Sequence, residues 1–271
     1  MTVTTEDKCA AFRKLHEAGC FVLPNPFDVG TAKMLQHMGF KAIASSSAGF
    51  AWSIGKADSR VTLEEMLADL ASLSAAVDIP VNADFEGGFA DAPEGVAANV
   101  TRAVATGVAG LSIEDSTGDK AAPLYAHELA VARIRAARQA IDASGTGVLL
   151  TGRCEAFLWG QPDINLVTDR LTAYAEAGAD CLYAPGIKTI EEITAVVKAV
   201  APKPVNLLVG GSGLSLGQAT ELGVRRISVG GSLARMAWAG FMRAAKEMAE
   251  QGTFTELAGG YSGGELNKIF G

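Results

Sequence analysis

Short apolar runs alternate along the chain with longer stretches in which apolar residues recur every three or four positions. The short runs fall at 20–24 "CFVLP", 41–46 "KAIASS", 80–84 "PVNAD", 110–114 "GLSIE", 148–154 "VLLTGRC", 181–184 "CLYA", 204–209 "PVNLLV" and 225–229 "RRISV". They are mostly continuous rather than alternating, the pattern of strands buried on both faces of a parallel sheet. The longer stretches predict helices near 28–38, 62–76, 93–106, 127–143, 165–177, 189–200, 214–222 and 232–250. Thr62 with Glu65 makes a capping-box start, and Asp91 before Pro93 and Glu94 makes another. Glycines in "MGF", "TGV", "AGA" and "LGV" follow helix ends, where the left-handed conformation turns the chain toward the next strand. Eight such units predict one α/β domain over 1–271, a (β/α)8 TIM barrel. Residues 5–18 predict a leading helix under the barrel. Residues 253–271 fall outside the eight units and predict two short helices, "FTELAG" and "GGELNKIF", joined by "GYSGG". Phe254, Leu257, Leu266, Ile269 and Phe270 of this C-terminal extension need a surface to cover, on their own barrel or on a neighbouring subunit.

A length of 271 residues with 49% hydrophobic content suits one large α/β barrel. The net charge of -7 and the lack of a Lys/Arg cluster exclude a nucleic-acid footprint, while a local metal or arginine can still attract an anion. No apolar run approaches the ~20 residues of a membrane span. The amphipathic N-terminus lacks a signal-peptide core. Cys9, Cys20, Cys154 and Cys181 form no CxxC pair. These features predict a cytoplasmic protein with free thiols.

In such barrels the reactive groups stand at the C-terminal ends of the strands. Ser45, Ser46, Ser47 and Ala48 follow the second strand, and Asp84 then Glu86 follow the third. Glu114 and Asp115 end the fourth, Arg153 and Glu155 the fifth, Tyr183 the sixth, and Asn206 lies on the seventh. Carboxylates gathered at one mouth repel, and a cation relieves them. All-oxygen ligands suit Mg2+ or Mn2+. Arg153 either pairs with Glu155 or presents a fork to a substrate carboxylate. Ser45–Ser47 are either a polar loop or groups that hold an anion.

The pieces "PNPFDVGTAKMLQHMGFKAIASSSAG", Asp58 in "GKADS", "VNADFEGGF", "GLSIED" and "GRCEAF", in this order, resemble the isocitrate lyase/phosphoenolpyruvate mutase superfamily over nearly the whole chain. The resemblance implies a Mg2+ or Mn2+ ion that holds a 2-oxo acid or its enolate. It implies Asp84 as metal ligand, with Glu86, Glu114 and Asp58 reaching the ion through water. It implies Ser46, Ser47 and Ala48 on the substrate carboxylate, Arg153 on the substrate, and Asn206 and Tyr183 in the pocket. It also implies a homotetramer, a dimer of dimers, whose terminal helices are exchanged between paired subunits.

The chain departs from the family pattern in the loop after strand four. Carbon–carbon lyases of the family carry "KKCGH" there, with a Cys that moves a proton. This chain has "EDSTGDKAAPLYAHELAVARI", with no Cys and with Lys120 as the nearest basic residue. Lys120, Glu114 and Arg153 are therefore the candidate catalytic residues. Tyr125 and Tyr183 could also move a proton, but only with a pKa brought down from ~10.

The first expectation is a Mg2+-dependent lyase on a small 2-oxo- or 2-hydroxy-dicarboxylate, cleaving or decarboxylating it through an enolate. Alternatives are a phosphonate mutase or hydrolase, and a barrel that binds a 2-oxo acid without turnover. "LLVGGSGLS" and "RRISVGGSLAR" also resemble the glycine-rich phosphate cradle of phosphosugar barrels.

Overall fold

The structure is a computed structural model and describes residues 3–211 and 213–271. Eight strands form one sheet: β1 (Phe21–Leu23), β2 (Ile43–Ala44), β3 (Val81–Asp84), β4 (Gly110–Glu114), β5 (Leu149–Arg153), β6 (Cys181–Tyr183), β7 (Val205–Leu208) and β8 (Arg226–Ser228). The order is β1-β8-β7-β6-β5-β4-β3-β2, and every pair is parallel. The barrel is nearly closed. At the seam between β1 and β2 the Ala44 N–H donates to the Pro24 carbonyl at 3.0 Å. All eight predicted strands are present, each trimmed to its buried, hydrogen-bonded centre.

The helices are α1 (Thr5–Leu15), α2 (Val29–His37), α3 (Ser47–Ser53), α4 (Leu63–Ala76), α5 (Pro93–Val104), α6 (His127–Ser144), α7 (Ile164–Glu176), α8 (Ile190–Val200), α9 (Leu216–Glu221), α10 (Ser232–Gln251) and α11 (Gly263–Phe270). The capping box at Thr62 and Glu65 starts α4 as expected. Asp91 does not cap α5: Ala92 holds that position, and the Asp91 carboxylate accepts from the Tyr125 hydroxyl instead. The sequence pattern overlooked α3, because seven residues are too few for a helical period to show. The first predicted tail helix is a single 3-10 turn, Thr255–Gly259, and α11 lies against α2 of its own chain.

The leading helix α1 closes the bottom of the barrel. Phe12, fully buried, packs edge-on against His16 and Phe21. A Cβ on Gly110 would sit 2.7 Å from the Phe12 ring, so glycine at the start of β4 is what admits the aromatic plug. Lys8 is buried on the same helix, and its Nζ donates to the carbonyls of Ser74 and Val77, both at 2.7 Å. These are end-of-helix carbonyls of α4 that no backbone N–H satisfies. Cys9, Cys154 and Cys181 are buried free thiols, and Cys20 is half-buried. Among the described residues no helix is long and apolar enough to cross a membrane.

Replacing Lys8 by Met keeps the stem but leaves two buried carbonyls without a donor. The expected cost is about 2 kcal/mol, or roughly 4–8 °C in Tm for a chain of this size. Differential scanning calorimetry checks this, and an unchanged Tm would remove Lys8 from the account of how α1 is anchored.

Candidate active site

Polar residues from the ends of β2 to β7 line one cavity of ≈ 180 Å³ at the C-terminal mouth of the barrel, and Glu86, Glu114 and Glu155 stand beside it without lining it. Asp58, Asp84, Arg153, Tyr183 and Asn206 line it, together with Ser46, Ser47 and Ala48. Arg153 is the hub. Its Nη1 lies 3.1 Å from Asp84 and 3.3 Å from Glu114, and its Nε donates to Glu155. It pairs with three acids at once, Glu155 among them. Its guanidinium also stands 5.2 Å from the centre of the Tyr183 ring.

The serines after β2 do more than line the cavity. Ser45 Oγ accepts from the Asp84 N–H at 2.9 Å. Ser46 caps α3 by accepting from the Gly49 N–H at 3.1 Å. Ser47 donates both its N–H (3.1 Å) and its hydroxyl (2.9 Å) to Asp84. Ser46 and Ser47 thus make internal bonds while also lining the cavity. The Ala48 N–H at the start of α3 has no intramolecular partner among the described residues.

Glu86 sits on the turn that follows β3. Its φ of +46° is uncommon for a residue with a side chain and belongs to constrained functional turns. The two glycines behind it have separate reasons. A Cβ on Gly87 would come within 3.0 Å of Arg133 Nη2, and Gly88 has φ +75° with Val96 and Ile113 packed against it. Arg133, 1% exposed, donates to the carbonyls of Gly87, Ala90 and Asp91 and lies 3.9 Å over the Tyr125 ring. This buried arginine fixes the turn that carries Glu86, and nothing in the strand pattern pointed to it.

The acids raise one another's pKa. Burial pushes the Glu86 carboxyl up to about 7, and repulsion from Asp84 and Asp58 adds to it, against the opposing pull of Arg153. Burial and then Asp84 raise Asp58. Burial raises Glu114 well above the carboxylate range despite Arg153 beside it. Arg153 is held firmly protonated by Glu155, Glu114 and Asp84, whose pull outweighs its own burial. Tyr183 is pushed up to about 12 by burial, so its hydroxyl stays protonated at neutral pH.

A divalent cation fits this set. Glu86 Oε1 is buried with no hydrogen-bond partner, and the clustered carboxylates exceed the positive charge of Arg153. Asp84, Glu86 and Glu114 are nevertheless not drawn into a ready cage. Among the described residues no three Asp, Glu, His or Cys side chains close on one point. The reason is that Asp84 and Glu114 are already held by Arg153, and Asp84 also by Ser47. A cation here would complete its shell with water and substrate.

Lys120 and Asp115 lie outside the cavity lining, and Asn206 lines it as expected. Lys120 is exposed in the loop pinned by the Ser116–Leu124 bridge and does not line the cavity. Asp115 points beneath the site, where its carboxylate accepts from Tyr174 (2.7 Å), Glu155 N–H (2.8 Å) and Arg170 (3.0 Å). Asn206 lines the cavity, but Arg226 donates to its Oδ1 and its Nδ2 donates to Ser228, both at 2.9 Å. It supports the floor rather than offering a free amide. The glycine-rich ends of β7 and β8 are also partly used. Asn25 Oδ1 accepts from the Val229 and Gly230 N–H groups, each at 2.9 Å, which closes much of the predicted phosphate cradle; Ser212 of that motif lies outside the described residues. Asn25, in "PNPFDVG", also donates to the Ser45 carbonyl at 2.9 Å and so ties β8 to the β2 end across the seam.

The family model for phosphoenolpyruvate phosphomutase matches residues 12–249. A solved structure of a candidate lyase/mutase from Burkholderia cenocepacia J2315 is 46% identical, with a TM-score of 0.95, over 98% of this chain and 97% of that one. An uncharacterized protein of Mycobacterium tuberculosis (strain CDC 1551 / Oshkosh) is 32% identical over 81% of both chains. Oxaloacetate decarboxylase of Pseudomonas putida (strain GB-1) is 30% identical over 71% of this chain and 68% of its own. With Asp84, Glu86, Glu114 and Arg153 gathered at the mouth of the barrel, the chain belongs to the isocitrate lyase/phosphoenolpyruvate mutase superfamily, as an enzyme of its carbon–carbon lyase class.

Proposed function

We propose that the chain is a divalent-metal-dependent lyase that acts on a small 2-oxo- or 2-hydroxy-dicarboxylate, with decarboxylation as the favoured branch. The observation that carries this reading is the acid cluster tied to Arg153 above the strand ends. Mg2+ or Mn2+, held by Asp84 with Glu86 and Glu114 reaching it through water, would supply a Lewis acid for the carbonyl oxygen of a 2-oxo acid. Arg153 lines the cavity and would orient the substrate through a charge-assisted hydrogen bond. The free Ala48 N–H at the start of α3 would donate to a carboxylate oxygen of the substrate. Tyr183, neutral at physiological pH, donates a hydrogen bond into the cavity.

Decarboxylation is favoured over aldol-type cleavage by what the loop 116–126 lacks. Cleavage of a 2-hydroxy acid needs a base on the hydroxyl and an acid on the departing carbanion. Lys120 is exposed, the Tyr125 hydroxyl is spent on Asp91, and no Cys is present in that loop. Loss of CO2 from a 3-carboxyl needs no base at the start, only a sink for the electron pair. The likeness to oxaloacetate decarboxylase of Pseudomonas putida supports the same branch.

The apolar surface on α10 and the tail supports a homo-oligomer. Met236, Phe241, Met242, Phe254 and Tyr261 are each about 60% exposed or more. Such a row of large apolar side chains fits a second copy of the chain. Exchange of the terminal helix between paired subunits of a tetramer is the arrangement we propose.

With Mg2+, oxaloacetate turns over faster than methylisocitrate, dimethylmalate or phosphonopyruvate. Asp84→Ala loses Mg2+ binding by calorimetry and lowers that turnover by at least about a thousandfold, while Lys120→Ala stays within about twofold. Faster release of phosphate from phosphonopyruvate than of CO2 from oxaloacetate would favour the phosphonate reading. In light scattering the intact chain runs as an oligomer, and Phe241→Asp with Met242→Asp shifts it toward the monomer.

A further inference from the structure

A second chamber of ≈ 460 Å³ opens directly outside the inner cavity and shares Ala48, Asp58, Leu208, Gly230 and Gly231 with it. Its walls are apolar: Trp52 from α3, Phe157 and Leu158 from the segment after β5, and Ile187 after β6. Two cations, Lys188 and Arg235, also line it. Neither makes a salt bridge among the described residues, and the one side-chain hydrogen bond of Arg235 goes to Ser232 Oγ at 3.1 Å. Asp58, at the neck shared with the inner cavity, is the one acid in the lining. The proton-moving groups and the metal-seeking acids of the inner cavity do not account for this chamber.

We infer that the outer chamber receives an apolar arm of the substrate that ends in a carboxylate, with Lys188 and Arg235 as the residues that select it. This rests on the reading of the inner cavity as the seat of the 2-oxo-acid head. In a chain with net charge -7, two cations without an acid partner beside an active site attract an anion there. Aromatic and aliphatic walls between the head and those cations favour hydrocarbon over water. A phosphoryl end fits less well, because Asn25 already occupies the Val229 and Gly230 N–H groups that would cradle it. The arm therefore makes specificity here a matter of the outer chamber, while the head chemistry stays common to the inner one.

Calorimetry with Mg2+ present and three probes tests this. Oxalate carries the head alone, 2-oxoheptanoate adds an apolar arm, and 2-oxopimelate adds the same length of arm with a terminal carboxylate. The intact protein is expected to bind 2-oxopimelate at least about tenfold tighter than 2-oxoheptanoate. Lys188→Gln with Arg235→Gln, both exposed positions, is expected to abolish that ratio and leave oxalate binding unchanged. A ratio near one in the intact protein, or a ratio that survives the double substitution, overturns the inference while oxalate binding upholds the inner site. Parallel weakening of oxalate in the variant also overturns it, since the effect then lies in the fold. Displacement of 2-oxopimelate but not oxalate by inorganic phosphate would assign the chamber to a phosphoryl group and overturn the carboxylate. Failure of oxalate to bind the intact protein would sink the inner-site reading itself, and this one with it.

Discussion

The site is built on one electrostatic problem: Arg153 holds Asp84, Glu114 and Glu155 together at the end of β3, β4 and β5, and its charge cannot balance them all. A single guanidinium can satisfy the geometry of three carboxylates but not their charge. Burial raises Glu86 and Asp58 first, and the leftover negative charge of their neighbours adds to it, while Glu86 Oε1 is buried without a donor. Every other feature of the mouth reads as a way to keep these groups close in spite of their repulsion. Ser47 ties down Asp84 with two hydrogen bonds, Arg133 ties down the turn that carries Glu86, and Asp115 with Arg170 and Tyr174 supports the backbone of Glu155 from below. Such a cluster is costly to fold alone and becomes favourable when a cation joins it.

The strand ends were legible because a barrel of parallel strands is periodic. Continuous apolar runs ending in Asp84, Glu114 and Arg153 place these residues at one mouth whatever the details of the loops. The residues that support them were not legible. Arg133 and Arg170 lie in helices among other charged residues, and only their burial separates them from a solvated face. α3 was missed because Ser46 reads equally as a loop serine and as a cap until the Gly49 N–H is seen beside it. Nearness in sequence to Glu114 does not bring Lys120 into the cavity lining: it is exposed on the loop pinned by the Ser116–Leu124 bridge.

The same separation explains why the reaction class is easier to read than the substrate. Groups that hold the electron sink must sit on rigid strand ends, because small errors in their position cost rate steeply. Groups that handle protons and recognise the rest of the substrate sit on the loops, which vary at little cost to the barrel. A chain of this superfamily can therefore keep Asp84, Glu86, Glu114 and Arg153 and change its chemistry through the segment 116–126. The absence of a Cys there removes one route for proton transfer without touching the floor of the site.

Asn25 shows how closely fold and specificity are joined at this mouth. The seam between β1 and β2 is the weakest part of the barrel, with one backbone hydrogen bond at the Ala44–Pro24 position to close it. Asn25 strengthens it by bonding the Ser45 carbonyl on one side and the Val229 and Gly230 N–H groups on the other. Those two N–H groups are the ones a phosphate-binding barrel would leave open after β8. Closing the barrel in this way also decides which anions the mouth can hold. Two backbone donors are withdrawn from the rim, and Arg235 is left lining the outer chamber as a side-chain cation.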